Sequence, residues 1–413
     1  MVPNGWLVKS LNDITNWSSG GTPSKSNPAF WNGDVPWISA ASMRGHYFGD
    51  SEVKITEKAV SNGAKMAPQN SLLLLVRGSM LWNKIPVGIA TRKVSFNQDV
   101  KCLKPDISKT DSEFLLYWFL NNEHRLMSMV TGTGIGAGKL DTTDLQNLDV
   151  FLPPLPEQQK IAKILSTWDK AITTTERLIA TSQQQKKALM QQLLTGKKRL
   201  VNPDTGMVFE GDWEEVKLKK LGKCLTGLTY SPDDVREEGI LVLRSSNIQN
   251  GKLCFDDNVF VNKEVKDEVK TKYGDILVCV RNGSRNLIGK SAFITDRAIG
   301  LTHGAFMTLF RGKYPELIYQ LFQTPQFYKQ VSMNLGATIN SINTSDLHKF
   351  KFKVPYDDLE VKKIASVLTA ADKEIELLEV KLAHLKEEKK ALMQQLLTGK
   401  RQVKVEHTEE VTC

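Results

Sequence analysis

The sequence has no Cys-x-x-Cys pair. Its five cysteines, Cys102, Cys224, Cys254, Cys279 and Cys413, are odd in number and far apart, which excludes a disulfide framework and a cysteine zinc site. That usage suits a reducing compartment, so the cytoplasm is the expected location. Histidine does not fill the gap: His46, His124, His303, His348, His384 and His407 are isolated and show no metal-ligand spacing. Long apolar runs are missing as well. The longest, Leu72 to Val76, is far too short to cross a bilayer, and the opening MVPNGWLVKS is polar where a secretory signal needs an apolar stretch. Acidic residues fall short of basic ones, 46 against 55, leaving a net charge of +9, a bias compatible with a polyanionic partner. A chain of 413 residues is too long for one ordinary core, and two or three domains are expected.

What is present, first of all, is a repeat. Lys186 to Lys197 reads KKALMQQLLTGK, and Lys389 to Lys400 reads the same twelve residues, 203 positions later. At that offset IAKILSTWDKAI (Ile161 to Ile172) aligns with IASVLTAADKEI (Ile364 to Ile375). Upstream the likeness is fainter: LDTTDLQNLDVFLPP faces INTSDLHKFKFKVPY, LLLLVRGS faces ILVCVRNGS, and WISAASM faces VLRSSNI. The halves share a plan but diverge before each helical block. Divergence confined to the globular parts suggests two domains doing the same kind of job on different targets.

Proline and glycine are both absent from Glu157 to Thr195, and Gly196 then supplies a stop. A helix of 39 residues is expected, roughly 60 Å at 1.5 Å per residue. Alternating steps of four and three from Ile161 pass through Leu165, Trp168, Ile172, Thr175, Ile179, Ser182, Lys186, Leu189 and Leu193; the second copy runs from Ile364 through Leu368, Ile375, Leu382 and Lys389 to Leu396. That period of 3.5 is a coiled-coil seam. Each helix would pack on the other, parallel or antiparallel, with the polar seam residues fixing register; a bare spacer or dimerisation element has the same periodicity.

The intervening parts read as α+β. Strand-like runs lie at Leu72 to Val76, Ile276 to Val280 and Ala305 to Phe310, with amphipathic helices at Asp111 to Asn121 and Pro315 to Gln323. Polar and basic residues cluster after these runs. In the first half they are Ser42, Arg44 and His46, then Arg77, Ser79, Asn83 and Lys84; in the second, Arg244, Ser246, Asn247, Gln249, Asn250 and Lys252, then Arg281, Asn282, Ser284 and Arg285. Arg, Lys, Asn and Gln are the side chains that reach guanine and adenine edges, so such loops are candidates for reading DNA.

Two motifs imitate catalytic sites. TGTGIGAGK (Thr131 to Lys139) lacks both the first glycine of a phosphate loop, where Thr133 stands, and the hydroxyl after the lysine, where Leu140 stands; a flexible loop is expected. Pro203-Asp204 followed by Glu215-Val216-Lys217 fits a loose nuclease pattern of two carboxylates and a lysine, but Asp204 sits in a turn-rich connector without a counterpart in the first half. No tetrapeptide resembling Asn-Pro-Pro-Tyr occurs, so adenine methylation would need another chain. No catalytic or metal-binding residue is therefore assigned.

PPLPEQQKIAKIL (Pro153 to Leu165), the two copies of KKALMQQLLTGK and WEEVKL (Trp213 to Leu218) together carry a resemblance, over essentially the full length, to the specificity subunits of type I restriction-modification enzymes. The resemblance implies two target-recognition domains, 1–153 and 201–355 including a connector, held by an antiparallel pair of helical regions, 154–200 and 356–400, with a polar tail at 401–413. It implies a non-catalytic chain that binds a split site on double-stranded DNA. The partners would be two modification subunits carrying S-adenosylmethionine and two restriction subunits using ATP and Mg²⁺. Glu157, Gln158, Ile161, Leu165, Trp168, Ile172, Ile364, Leu368, Ile375 and Leu382 are the expected partner and coiled-coil positions. VPYDDLEVKKIA (Val354 to Ala365) departs from the pattern where the first copy has proline, glutamate and glutamine. Rival readings are a catalytic nuclease or methyltransferase, active alone, and a coiled-coil adaptor without DNA affinity.

If the helices set the distance between two recognition domains, lengthening them lengthens the unread spacer. Four residues inserted after Ser182 add about 6 Å, near the rise of two base pairs at about 3.4 Å each. Methylome sequencing of the insertion mutant should show unchanged half-sites with a longer spacer, or no activity if the rotation of roughly 35° per base pair is not absorbed. Full activity with the original spacer contradicts the ruler.

Overall fold

The computed structural model describes residues 2–134, 136–335 and 340–404; His407, Cys413 and most of the polar tail lie outside them. Two compact units divide the chain: Met1–Glu176 with Lys381–Cys413, and Arg177–Val380. The division crosses the sequential partition, because each long helix is shared between the units. Among the described residues no helix is long and apolar enough to cross a membrane.

In the first unit, Leu72 to Leu75 has no exposed residue. A strand apolar on both faces belongs in the middle of a covered sheet. It lies there, between Val100–Pro105 and Val87–Ala90, with Thr15–Ser19 and Tyr47–Phe48 at the edges. A second sheet joins Lys54–Ile55, Trp31–Ile38, Val94–Phe96 and Met66–Ala67. The helix Ser112–Asn121 is capped by Asp111, whose carboxylate accepts from Phe114 N at 2.9 Å. It was expected to be amphipathic. Instead Phe114 to Phe119 are all buried, because one side packs on Val87–Ala90 and on another Tyr117 reaches the first long helix.

The second unit repeats the plan. Ile276–Cys279, entirely buried, runs between Met307–Gly312 and Ser291–Phe293, with Gly222–Thr226 outside. The strands that feed the long helices also correspond: Leu7–Ser10 pairs antiparallel with Asp149–Leu152, and Trp213–Lys217 with Lys351–Pro355. The fold is α+β in both units.

The long helices span Leu155–Leu193 and Asp358–Leu396, 39 residues each. The first starts two residues earlier than expected. Pro156 is tolerated there because first-turn N–H groups have no intrahelical acceptor. Beyond the ends Gly196 and Gly399 adopt φ of 70° and 68°, a turn that favours glycine. Every residue of both seams is buried or half-buried. In the first unit Asp169 and Glu176 meet Lys389 and Lys386 at 2.6 and 2.7 Å. In the second, Ser182 and Lys186 meet Glu374 and Asp372 at 3.4 and 2.6 Å. Partner numbers fall as the first helix rises, so the coiled coil is antiparallel within each unit.

The helix ends are exchanged. Leu193 and Leu194 join the core of the second unit, whereas Leu396 and Leu397 join that of the first. Two glutamates 203 residues apart anchor the chain just beyond these ends. Glu157, near the start of the first helix, accepts from Trp6 Nε1 at 3.1 Å and Val403 N at 3.0 Å. Glu360, fully buried, takes a bidentate guanidinium from Arg199, with Nε at 2.5 Å and Nη2 at 2.7 Å. The carboxylate raises the Arg199 pKa further above its ordinary value. Breaking a buried charge pair strands the partner, and Arg199 would keep the Gly211 and Glu210 carbonyls and the Trp213 ring, 5.9 Å away, but no carboxylate in contact. Glu360→Ala should therefore destabilise by about 3 kcal/mol, and Glu157→Ala, which loses neutral donors, by about 1–2 kcal/mol. Urea unfolding of the two variants, followed by far-UV circular dichroism, checks the order; equal midpoints contradict it.

Candidate nucleic-acid interface

The candidate loops of the first unit leave one end of its five-stranded sheet. Leu72–Leu75 runs toward Arg77, and its neighbour is antiparallel with Leu74 opposite Val87. Tyr47–Phe48 runs parallel to Val87–Ala90, so Arg44 and His46 emerge at the same end. His46 Nδ1 lies 3.0 Å from Val87 O, which anchors that loop. Ser42 is used locally: its hydroxyl accepts from Ser39 N at 2.9 Å and donates to Ser39 O at 3.0 Å. Arg44, Arg77, Ser79, Asn83 and Lys84 are exposed. Glu123 accepts from Ile85 N at 3.0 Å, closing the loop behind Lys84.

In the second unit the two clusters touch. Asn282 Nδ2 donates to Ser245 Oγ at 3.0 Å, joining the turn after Leu243 to the turn after Val280. Arg244 pairs with Asp257 at 2.8 Å. Asn247 is fully buried; its Oδ1 accepts from Arg244 N at 2.9 Å and its Nδ2 donates to Cys254 O at 3.0 Å. It holds the loop's shape. Gln249 and Asn250 are exposed on a hairpin whose turn, Asn250 and Gly251 at φ 50° and 77°, suits a type I′ connection. The hairpin leans on the unit's own helices: Tyr319 OH donates to Gly251 O at 2.9 Å, and Lys252 pairs with Glu379 at 2.9 Å. Arg281, Ser284 and Arg285 are exposed, and the Arg281 guanidinium lies 5.6 Å from the Phe306 ring centroid, within cation–π range. Tyr230, Arg244, Ser246, Asp257 and Phe306 line an open cleft of about 680 Å³.

The expected partner positions divide. Ile161, Leu165, Ile364, Leu368 and Ile375 are buried, and Trp168, Ile172 and Leu382 half-buried, along the seam. Gln158 is fully buried; its Oε1 accepts from Asp111 N at 2.9 Å and its Nε2 donates to Lys109 O and Pro153 O, both at 2.9 Å. With Glu157 it serves the interior of its own unit.

Sequence reading picked out Lys186 and Lys389 on the seam but missed the side chains that meet them. Asp169 accepts from Tyr117 OH at 2.7 Å and from Lys389, whose ammonium lies 5.3 Å from the Tyr117 ring centroid. Burial and that carboxylate push the Tyr117 pKa well above the usual phenol range, so it remains a donor. Asp372 accepts from Gln320 Nε2 and Lys186 Nζ, both at 2.6 Å. The signal was available: both copies keep the aspartate and the lysine at the same separation. In the nuclease-like pattern, Glu215 pairs with Lys351 at 2.7 Å, and Asp204 lies in the turn after Asn202. Among the described residues no three His, Cys, Asp or Glu side chains are grouped to hold a metal. Burial pushes the Cys279 thiol up to about 11 and Cys224 up to about 12, leaving both protonated at neutral pH. Burial also lowers the pKa of His303.

The family described as type I restriction modification DNA specificity domain matches residues 3–181 and again 210–387, one match in each half of the repeat. The MjaVIII specificity subunit of Methanocaldococcus jannaschii is 28% identical over 98% of this chain and 94% of its own length. The EcoR124I/EcoR124II specificity subunit of Escherichia coli is 32% identical over 39% of this chain and 40% of its own. Among solved structures, the S subunit of a type I system from M. genitalium superposes with a TM-score of 0.62 at 16% identity, covering 96% of this chain and 99% of that one. With two copies of the domain, the paired long helices and a curated relative matching nearly end to end, the chain belongs to the specificity subunits of type I restriction-modification systems.

Proposed function

We propose that the first unit reads one part of a split duplex site and the second unit the other, and that the chain directs methylation without performing it. The observation that carries this reading is the placement of divergent sequence on a repeated scaffold. In each unit a basic loop follows the buried central strand, Arg77 to Lys84 in one and Arg281 to Arg285 in the other, while the helix blocks Ile161 to Ile172 and Lys186 to Lys197 recur 203 residues later, the second without change. Arg44, Arg77, Ser79, Asn83 and Lys84 in the first unit, and Arg244, Gln249, Arg281, Ser284 and Arg285 in the second, are the contacts assigned to DNA. Base edges specify and phosphates position, so binding should weaken steeply with salt. Ser42 and Asn247 shape the loops.

Methyl transfer requires the target base to leave the stack. One chain can therefore clamp the flanks while a modification subunit carrying S-adenosylmethionine takes the base. Restriction subunits using ATP and Mg²⁺ would act on the same assembly. The purified chain is expected neither to methylate nor to cut DNA until a modification subunit is added; metal-dependent cleavage abolished by Asp204→Ala or Glu215→Ala would sink that reading.

Exchange of halves provides the sharper test. Residues 1–153 are replaced by those of a relative with another site, the modification subunit is supplied, and the methylome is sequenced. One part of the methylated sequence should change and the other persist. A change in both parts together refutes independent readout.

A further inference from the structure

The glycine-rich segment after Val130 was expected to be a flexible loop, yet its two arms are strands. Thr131–Gly132 pairs antiparallel with Gly138–Lys139, which pairs in turn with Arg77–Gly78. The register sets Arg77, Lys139 and Thr131 directly opposite one another across three strands, and all three are exposed. Directly opposed residues share a face, with Cβ atoms about 4.5–5.5 Å apart. The hairpin is fixed to the candidate loop at its tip and at its base. Trp82 Nε1 donates to Gly136 O at 3.1 Å, and Leu140 N donates to Val76 O at 2.9 Å. Gly138 is needed where the second arm crosses the Ser79–Trp82 turn: a Cβ there would lie 2.7 Å from Val130 Cγ1 and 3.0 Å from Leu81 Cβ.

Two like charges placed opposite each other on neighbouring strands repel. Asp141 offsets this only loosely, at 3.6 Å from Lys139 Nζ between half-exposed side chains. Thr131 Oγ1 makes a long bond of 3.3 Å to Lys139 O. The row thus presents two cations and a hydroxyl to solvent on neighbouring strands, an arrangement a phosphodiester satisfies by bridging the cations.

We propose that the hairpin Thr131–Lys139 is a phosphate-contacting jaw of the first unit, in which Lys139 and Thr131 join Arg77 in gripping the sugar-phosphate backbone of duplex DNA. This rests on the reading of the first unit as a DNA-recognition unit. It adds Lys139 and Thr131 to the interface and gives the segment a part in affinity and not in base choice. Removal of Lys139 should weaken all sequences alike.

The test measures binding of the full chain to a short duplex of arbitrary sequence by fluorescence anisotropy across a salt series. K139M should reduce the slope of log affinity against log salt by about one, K139R should retain it, and R77M should reduce it similarly. A normal slope for K139M beside a reduced one for R77M overturns the jaw and leaves the DNA reading standing; normal slopes for both overturn the jaw and that reading of the Arg77 loop together. A second measurement needs no variant. Acetylation of lysines in the unmodified protein, mapped by mass spectrometry, should lose most of its yield at Lys139 when the duplex is present. Equal yield with and without duplex overturns the proposal, as does equal protection by inorganic phosphate alone.

Discussion

A lysine on the seam of a coiled coil is tolerable only if something of opposite charge meets it, and this chain meets it twice. Lys389 finds Asp169, and Lys186 finds Asp372, each at 2.6 Å with the lysine side chain about 15% exposed or less. In each case the acceptor is on the other helix and is oriented by a side chain of the globular part, Tyr117 in one unit and Gln320 in the other. Parallel packing or a shift of one turn would leave a cation without its carboxylate. Such polar seam positions cost packing energy and restrict register, and here each one also ties a helix crossing to the helix beneath its sheet.

Exchange of the helix ends explains why sequence was kept where it was. The copies of KKALMQQLLTGK end in the cores of the two units, one that contains Leu218 and Leu368, the other Leu11 and Leu165. A leucine pair enters each. The loops after the central strands repeat only a backbone contact, Leu140 N to Val76 O at 2.9 Å and Ile342 N to Val280 O at 2.8 Å, and a main-chain bond leaves the side chains free to differ between units.

Much of this architecture is legible in the sequence. The absence of proline and glycine marked the first helix to within two residues at each end, and the leucine run at residue 72 marked the central strand. The period of 3.5 did not distinguish parallel from antiparallel; that came from the resemblance. Partners remote in sequence were invisible: Glu360 took over the place of Glu157 although the surrounding proline and glutamine had gone. Loop residues were the least legible, because a polar side chain bonded inside its loop looks the same as one awaiting DNA. Asn247 is bonded inside its loop and Lys252 to the long helix, whereas Arg77 and Arg281 are exposed. The helix Ser112–Asn121 misled by its flanks, since its polar ends conceal a segment buried all round.

The exchanged ends also bear on how the protein is made. Leu396 and Leu397 belong to the core of the first unit, and Val403 packs against it, but they leave the ribosome about 230 residues after Leu165, a member of the same core; at 5–20 residues per second that is roughly 10–50 s. Through that interval the nascent first unit holds its sheet and helix with an uncovered groove, the kind of surface that attracts chaperones or other chains. The second unit has no such wait, since Leu193 and Leu194 precede its strands. One repeat therefore gives two folding histories, with the earlier-made unit the later to be completed.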